Sequence, residues 1–439
     1  MKILIIDQDK VGLPFAMKAK EAGHTVKLWM TFEKNGKRSR IGEGIVDLVS
    51  SWETWMRWAD LIVLTENAKL RGPLTRYFKQ GYPIFGCNKE AAELELDRGV
   101  GQEVFKQAGC KILPYETFNS YSKAIQYVRE TGKAYVSKPW GGDADKSLSY
   151  VPPDARSLMF KLEKWKSEGH LKGELMLQQK VEGVEMAVGG WFGPGGWSKW
   201  WNENWEEKRL MNDGKGPNTG EMGTVMRYTK KSQLAEEVLL PITTVLHQLN
   251  YVGYCDVNCM IDKKGTPYPL EFTMRFGWPH FNLCMTLHQG DPAKWMVDLL
   301  EGRDTLSCST DVCVGVVRAH GDFPFGNLPL EEVSGYPIMG ITPAMEKNLR
   351  LTSVRMGQAP IGKGFKQIPV YVTEGEYILV VTGTGKTVED ARKDAYSQMD
   401  KIQIPSDPTY RTDIGCRMEG DLNTLHKLGY AKGMEYGKS

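Results

Sequence analysis

The start of the chain alternates buried-strand and helix patterns, and that alternation leaves few folds open. Lys2–Asp7 is an apolar run ending in an acid, Gly12–Gly23 has helical spacing, and Thr25–Met30 reads as the next strand. Leu61–Glu66 repeats the buried-strand pattern, followed by helix-like Pro73–Gln80 and strand-like Pro83–Gly86. Such a βαβ series builds a parallel sheet covered by helices on both faces. Ligands of open parallel sheets lie beyond the carboxyl ends of the strands. Here those ends are Asp7–Lys10 and Glu66–Arg71.

Further along, Asn88–Gly109 is helical, with Asn88 as its N-cap. A strand at Ala134–Lys138 precedes a Gly-rich turn, Gly141–Lys146, and a strand around Ser147–Val151. Leu175–Val181 and Val184–Phe192 read as strands, and Gln233–Leu249 as one amphipathic helix. Val252–Ile261 and Pro267–Phe272 form a strand pair around Asp262–Gly265, whose sequence suits a hairpin. After Arg303 come short strands, Cys313–Ala319 and Tyr377–Gly383, and a helix, Thr387–Lys401. The expected organisation is a parallel α/β unit at 1–103, a central unit at 104–310 and a small α+β unit at 311–439.

Charge narrows the partners. Lys and Arg number 56 against 54 Asp and Glu, a net charge of +2. That removes the electrostatic argument for general nucleic-acid or membrane-surface binding. No apolar run reaches the roughly 18–20 residues of a membrane span, and the opening MKILIID carries no signal-peptide pattern. The eight cysteines are scattered without a CxxC pair and the seven histidines are dispersed. Reduced thiols in a cytoplasmic protein are expected, with neither a disulfide framework nor a zinc site.

Three constellations carry chemistry. Asp256 and Asn258 share one face of a strand, and Glu271 and Thr273 share one face of its partner. Four oxygen ligands thus face one point, which suits Mg²⁺ completed by phosphate oxygens; a solvated hairpin face is the plain alternative. Arg275, two residues on, suits a phosphate or a carboxylate. Lys138 and Lys146 flank a glycine-bearing loop that could close over polyphosphate, although a surface turn has the same composition. Gly216–Gly223 (GPNTGEMG) reads as a turn wrapped around a small ligand, with Asn218 and Thr219 as hydrogen-bonding groups and Lys208 and Arg209 just before it.

In this order these segments resemble the ATP-grasp ligases, and among them glycinamide ribonucleotide synthetase (phosphoribosylamine–glycine ligase). The carriers are Gln178–Glu185 (QQKVEGVE), Gly216–Gly223, Asn258–Gly265 (NCMIDKKG) and Leu270–Gly277 (LEFTMRFG). The closing segments Gly315–Pro324, Thr382–Tyr396 and Tyr410–Arg417 also match. The resemblance implies an ATP-grasp fold, α/β and α+β, with an N-terminal parallel-sheet domain, a mobile lid at about 115–190 and a small C-terminal α+β domain. It also implies ATP and Mg²⁺ (or Mn²⁺) as cofactors. Lys138 and Lys146 would hold the ATP phosphates, Gln178, Gln179 and Val181 the adenine, and Glu185 the ribose. Glu271 would be the principal metal ligand, joined by Asn258, Thr273 and Asp256. Arg275 and Asn218–Thr219–Gly220 would hold the carboxylate and its acyl phosphate. Lys208, Arg209, Asp7, Lys10 and Glu66 fall where substrates bind.

The chain departs from that family where the amine binds. The family's phosphate-cradling GNGGREHA loop is replaced by Asp7–Ala16, its GPEAP by Thr65–Lys69 and its RFGDPE by Arg275–His280. Two acids at a phosphate nest repel phosphate. Gln102 stands where a lysine is usual, Asp143 and Asp145 enter the Gly loop, and Thr273 replaces an amide. Trp191, Trp197, Trp200, Trp201 and Trp205 fall within fifteen residues, either as a packed hairpin face or as a stacking surface for a base.

The expectation is therefore an ATP- and Mg-dependent ligase joining glycine or another small amino acid to an amine through an acyl phosphate. The amine is expected to be nucleotide-like and different from phosphoribosylamine. The alternatives are a true phosphoribosylamine–glycine ligase of purine synthesis and a non-catalytic ATP- or ADP-binding protein. Partners are small molecules, with neither membrane nor nucleic acid, and the chain is expected to be a monomer or homodimer.

Overall fold

The computed structural model describes residues 1–8, 10–30, 33–34, 37–140, 148–171, 173–361 and 366–437. The N-terminal strands form a five-stranded parallel sheet in the order Asp47–Val49, Thr25–Met30, Lys2–Asp7, Leu61–Leu64, Ile84–Phe85. Lys2–Asp7 is apolar on both faces because both are covered, with Ile3 and Ile5 in one core and Leu4 and Ile6 in the other. The strand order reverses between Lys2–Asp7 and Leu61–Leu64, which opens a crevice at Asp7 and Thr65.

Asn88 caps the helix Lys89–Leu96 through the Ala91 amide. The single helical stretch expected to Gly109 is two helices, because Asp97 turns extended and caps a second one, Arg98–Gln107. Next comes a small unit with its own core. Its three antiparallel strands, Tyr115–Phe118, Glu174–Gln179 and Tyr135–Trp140, are backed by the helices Tyr121–Thr131 and Ala155–Ser167. The strand expected around Ser147–Val151 is only a bridge between Ser137 and Tyr150. The Gly141–Ser147 loop, with Asp143, Asp145 and Lys146, lies outside the described residues.

The body of the molecule is an eight-stranded antiparallel sheet. Its order is Pro267–Thr273, Gly253–Asp262, Gly183–Gly193, Gly196–Met211, Lys215–Thr229, Val312–Ala319, Tyr377–Gly385, Leu349–Leu351. The sheet thus runs on from the central unit into the C-terminal strands. The amphipathic stretch Gln233–Leu249 is broken into Gln233–Val238, a 3₁₀ turn at Leu240–Ile242 and Thr243–Gln248. Pro241 lacks the amide that a continuous helix would need there.

Gly216–Gly223 also differs from expectation. It is extended within Lys215–Thr229, with irregular pairing in which Arg209 faces Asn218 and Glu207 faces Gly223. The turn lies earlier, at Asn212–Gly214, and Gly216 takes φ +80° on leaving it. Trp191, Trp200, Trp201 and Trp205 are buried and Trp197 is half-buried, so this aromatic run is core and not a stacking surface. Among the described residues no helix is long and apolar enough to cross a membrane. All eight cysteines are free thiols.

Candidate active site

A cleft of about 980 Å³ opens between the small three-stranded unit and the large sheet. Lys138, Gln178 and Gln179 line it from the small unit, with Val181 just after; Glu185, Lys208, Arg209, Asn218, Thr219, Gly220, Asn258 and Glu271 line it from the large sheet. The sequence scatters these residues over more than a hundred positions, and strand pairing brings them together. Asn258 lies opposite Glu271 in the predicted hairpin, and Ala187 pairs with both Asn258 and Asn204.

Charge in the cleft is closely balanced. Lys208 lies 2.8 Å from Glu206, 3.7 Å from Glu271 and 3.9 Å from Glu185. Burial opposes the Lys208 charge, but Glu206, Glu185 and Glu271 together hold its ammonium well above the ordinary lysine range. Asn258 donates its amide to Glu185 at 2.9 Å and to Glu206 at 3.1 Å, leaving its Oδ1 buried without a partner. Lys138 donates to Gln178 Oε1 at 3.0 Å, and Gln178 Nε2 is buried and unpartnered. Burial, and then the charge of Arg98, lower the Lys138 ammonium to about 8.

Several cleft residues were not anticipated from the sequence. Arg98 ion-pairs with Glu271 at 3.0 Å. It stands one turn before Gln102, which donates instead to the carbonyls of Pro269 and Leu270. That i, i+4 spacing was the available signal for a cation on the same helix face. Glu206 alternates with Lys208 along one strand and so shares its face. Arg411 and Arg417 reach in from the C-terminal segment: Arg411 pairs with Glu207 at 3.2 Å, and Arg417 with Glu207 at 3.1 Å.

Asp256 and Thr273 depart from the expected four-ligand cluster. An irregularity between Asn258 and Cys259 sets Asp256 opposite Thr273, and neither lines the cleft. The Asp256 carboxylate accepts from Tyr254 at 2.9 Å and Asn204 at 2.8 Å, in a buried network with His280 and Asn202. Gly189 permits this network, since a Cβ there would come within 2.1 Å of the Tyr254 hydroxyl and 2.7 Å of Asp256. Burial, and then the charge of Glu206, push the Asp256 carboxyl up to about 7.

The remaining expected residues gather at the crevice of the parallel sheet. Asp7 accepts the Gly12 amide at 2.7 Å and the Thr65 hydroxyl at 2.8 Å. Glu66 is folded back on its own loop and accepts the amides of Ala68, Lys69 and Leu70. Lys10 takes a left-handed φ of 64°, with its ammonium beside Gly375. Arg275 ion-pairs with Glu95 at 3.1 Å, and Glu95 also accepts from Asn67 and from the Met274 amide. Glu95 thus ties the Glu66–Asn67 loop to the end of the hairpin strand, a role that its place in a surface-patterned helix did not reveal.

The fold is the ATP-grasp fold, α/β and α+β, with an N-terminal parallel-sheet domain. Residues 98–281 match the family model described as phosphoribosylglycinamide synthetase, ATP-grasp (A) domain. Within that fold the chain resembles the phosphoribosylamine–glycine ligases. It is 26% identical over 370 residues to the Lactococcus lactis phosphoribosylamine–glycine ligase, covering 80% of this chain and 82% of that one. It is 25% identical over 384 residues to the Escherichia coli ligase, covering 82% and 83%. Among solved structures, the phosphoribosylamine–glycine ligase of Thermotoga maritima superposes with a TM-score of 0.68 at 19% identity, over 94% of this chain and 100% of that one. The N5-carboxyaminoimidazole ribonucleotide synthetase of the same organism gives 0.57 at 17% identity, over 92% and 99%.

Proposed function

We propose that this chain is an ATP-dependent ligase that joins a small amino-acid carboxylate, with glycine the first candidate, to an amine. One observation carries the reading. Lys138, Gln178, Glu185, Asn218–Gly220, Asn258 and Glu271, which the resemblance assigns separately to nucleotide, metal and carboxylate, line a single cleft. The relatives' names support the same reaction class.

The chemistry has two steps. A carboxylate oxygen attacks the γ-phosphorus of ATP, the bond to the β-phosphate oxygen breaks, and ADP leaves. The amine nitrogen then attacks the acyl carbon, loses a proton, and expels phosphate that keeps the carboxylate oxygen. Lys138, Arg98 and Lys208 line the same cleft and would offset charge on the transferred phosphoryl group. Gln178 Nε2 is a free donor for the nucleotide.

The donor set fits a hard cation. Glu271 and Asn258 Oδ1 offer oxygens from facing strands, with Glu185 and Glu206 beside them. Among the described residues no three acidic, His or Cys side chains close on one point, so phosphate oxygens would complete the shell. Bound there, Mg²⁺ would polarise the γ-phosphate.

The relatives' names favour phosphoribosylamine as the amine over the different amine expected from the sequence. Asp7 sustains a second reading, in which the amine brings no phosphate to the first loop, because its carboxylate already takes the Gly12 amide there. The test is coupled ADP release with Mg-ATP and glycine, with and without phosphoribosylamine generated in situ. Release that needs phosphoribosylamine supports the first reading. Slow release with glycine alone and no stimulation supports the second. Nucleotide binding without release under any condition, other small amino acids included, overturns both in favour of a non-catalytic protein.

A further inference from the structure

A second cavity, of about 710 Å³, lies between the first helix, Gly12–Glu21, the helix His280–Leu287 and the C-terminal strand Leu349–Leu351. It shares no residue with the cleft. Its walls include Met17, Ile341 and Tyr371, and Lys18 and Arg350 both line it.

Arg350 is 6% exposed. Its guanidinium donates to the carbonyls of Glu346, Lys347 and Leu349 and to the Thr286 hydroxyl, while Nε is buried with no partner. Lys18 donates to the Met285 carbonyl. Among the described residues neither cation has a carboxylate within ion-pair distance. Glu21 and Glu346 line the cavity too; the charge of Glu21 offsets both cations in part, but both carboxylate side chains are exposed. Neutral carbonyls satisfy hydrogen bonds without neutralising charge, and a buried cation with no anion against it is unfavourable. The two cations also disfavour each other: burial, and then the charge of Arg350, lower the Lys18 ammonium to about 8.

From this cavity, its paired cations and the orphaned Arg350 Nε, we infer a second ligand site that takes a small organic anion, a phosphate or carboxylate head on an apolar body. The head would lie between Lys18 and Arg350, and the body against Met17, Ile341 and Tyr371. The volume falls in the range of roughly 300–1,000 Å³ usual for small-molecule sites.

The test measures binding of phenyl phosphate and of benzoate to the full chain by calorimetry, with the cleft saturated by Mg-ADP. At least one probe is expected to bind, and the preferred one distinguishes a phosphate from a carboxylate ligand. Lys18→Met and Arg350→Met should each weaken that probe at least tenfold while Mg-ADP affinity stays unchanged. Lys18 is half-buried, so its variant keeps the test valid should Arg350→Met fail to fold. Binding of neither probe to the unaltered chain, or unchanged binding to Lys18→Met, overturns the site.

Discussion

The carboxylate of Asp7 accepts the backbone amide of Gly12 at 2.7 Å, so the chain supplies its own anion at the start of its first helix. A Cβ on residue 12 would lie 2.9 Å from that oxygen, which is why glycine stands there. Asp7→Asn keeps the shape and removes the charge. It should cost about 1.5–3 kcal/mol of stability by urea unfolding, the range for hydrogen bonds to charged groups. The variant also separates the two amine readings. A lower KM for phosphoribosylamine marks a phosphate approaching this loop; an unchanged KM marks an amine held elsewhere.

Glu271 faces Asn258 across the hairpin and touches both Arg98 and Lys208. Glu271→Ala should reduce Mg-dependent turnover by about a hundredfold or more, the scale of losing a group that organises transition-state charge. Far-UV circular dichroism should be unaltered. Full activity in this variant would remove Glu271 from the metal assignment.

Lys138 titrates near 8 in the nucleotide-free chain, held down by burial and by Arg98. Phosphate placed against it favours the ammonium, so ATP binding should take up a proton between about pH 8 and 10. Calorimetry in two buffers of different ionisation enthalpy measures that uptake. In Lys138→Gln it should vanish, and ATP affinity should no longer fall as pH rises above 8.

His280 and His288 are buried neutral, with burial lowering both to about 3. The unfolded chain binds their protons near pH 6.5, so stability is complete above that and lost as pH falls towards 3. Between pH 6 and 5 these two groups contribute a loss of about 2–3 kcal/mol per pH unit, partly offset by Asp256, whose raised carboxyl takes up a proton in the folded chain first. His280→Gln should lower the slope measured by urea unfolding by about 1 kcal/mol per pH unit, the share of one such group.

Trp200 and Trp201 are under a tenth exposed, and the Trp200 indole donates to the Leu306 carbonyl. Replacing either by alanine should cost about 3–5 kcal/mol of stability. Acceptor KM should stay as it is in whatever fraction remains folded.

Periodicity and hairpin chemistry carried much of the fold. Lys2–Asp7 and the hairpin of Gly253–Asp262 with Pro267–Thr273 were legible because alternation and turn residues mark them locally, whereas the irregularity between Asn258 and Cys259 that sets the register was not. The break at Pro241 and the cap at Asp97 were equally local, and a closer reading of those residues would have found them. Gly216–Gly223 misled because its turn-rich composition is overridden by pairing with Glu207–Arg209, a partner set by the long hairpin. In the cleft, Lys138, Glu185 and Glu271 stood out by motif. Arg98 and Glu206 left only a spacing signal, one helical turn from Gln102 and one strand alternation from Lys208, and Arg417 meets the site through a tertiary contact that leaves no mark in the surrounding sequence.

The central claim is that one cleft moves the γ-phosphate of ATP onto a carboxylate. It is tested most directly with glycine labelled by ¹⁸O in both carboxylate oxygens, in the presence of Mg-ATP and hydroxylamine as a surrogate amine. The account predicts inorganic phosphate carrying one ¹⁸O, read by its ³¹P isotope shift, together with glycine hydroxamate. Phosphate released without label would mean that water, and not the carboxylate, takes the phosphoryl group, and would contradict the account.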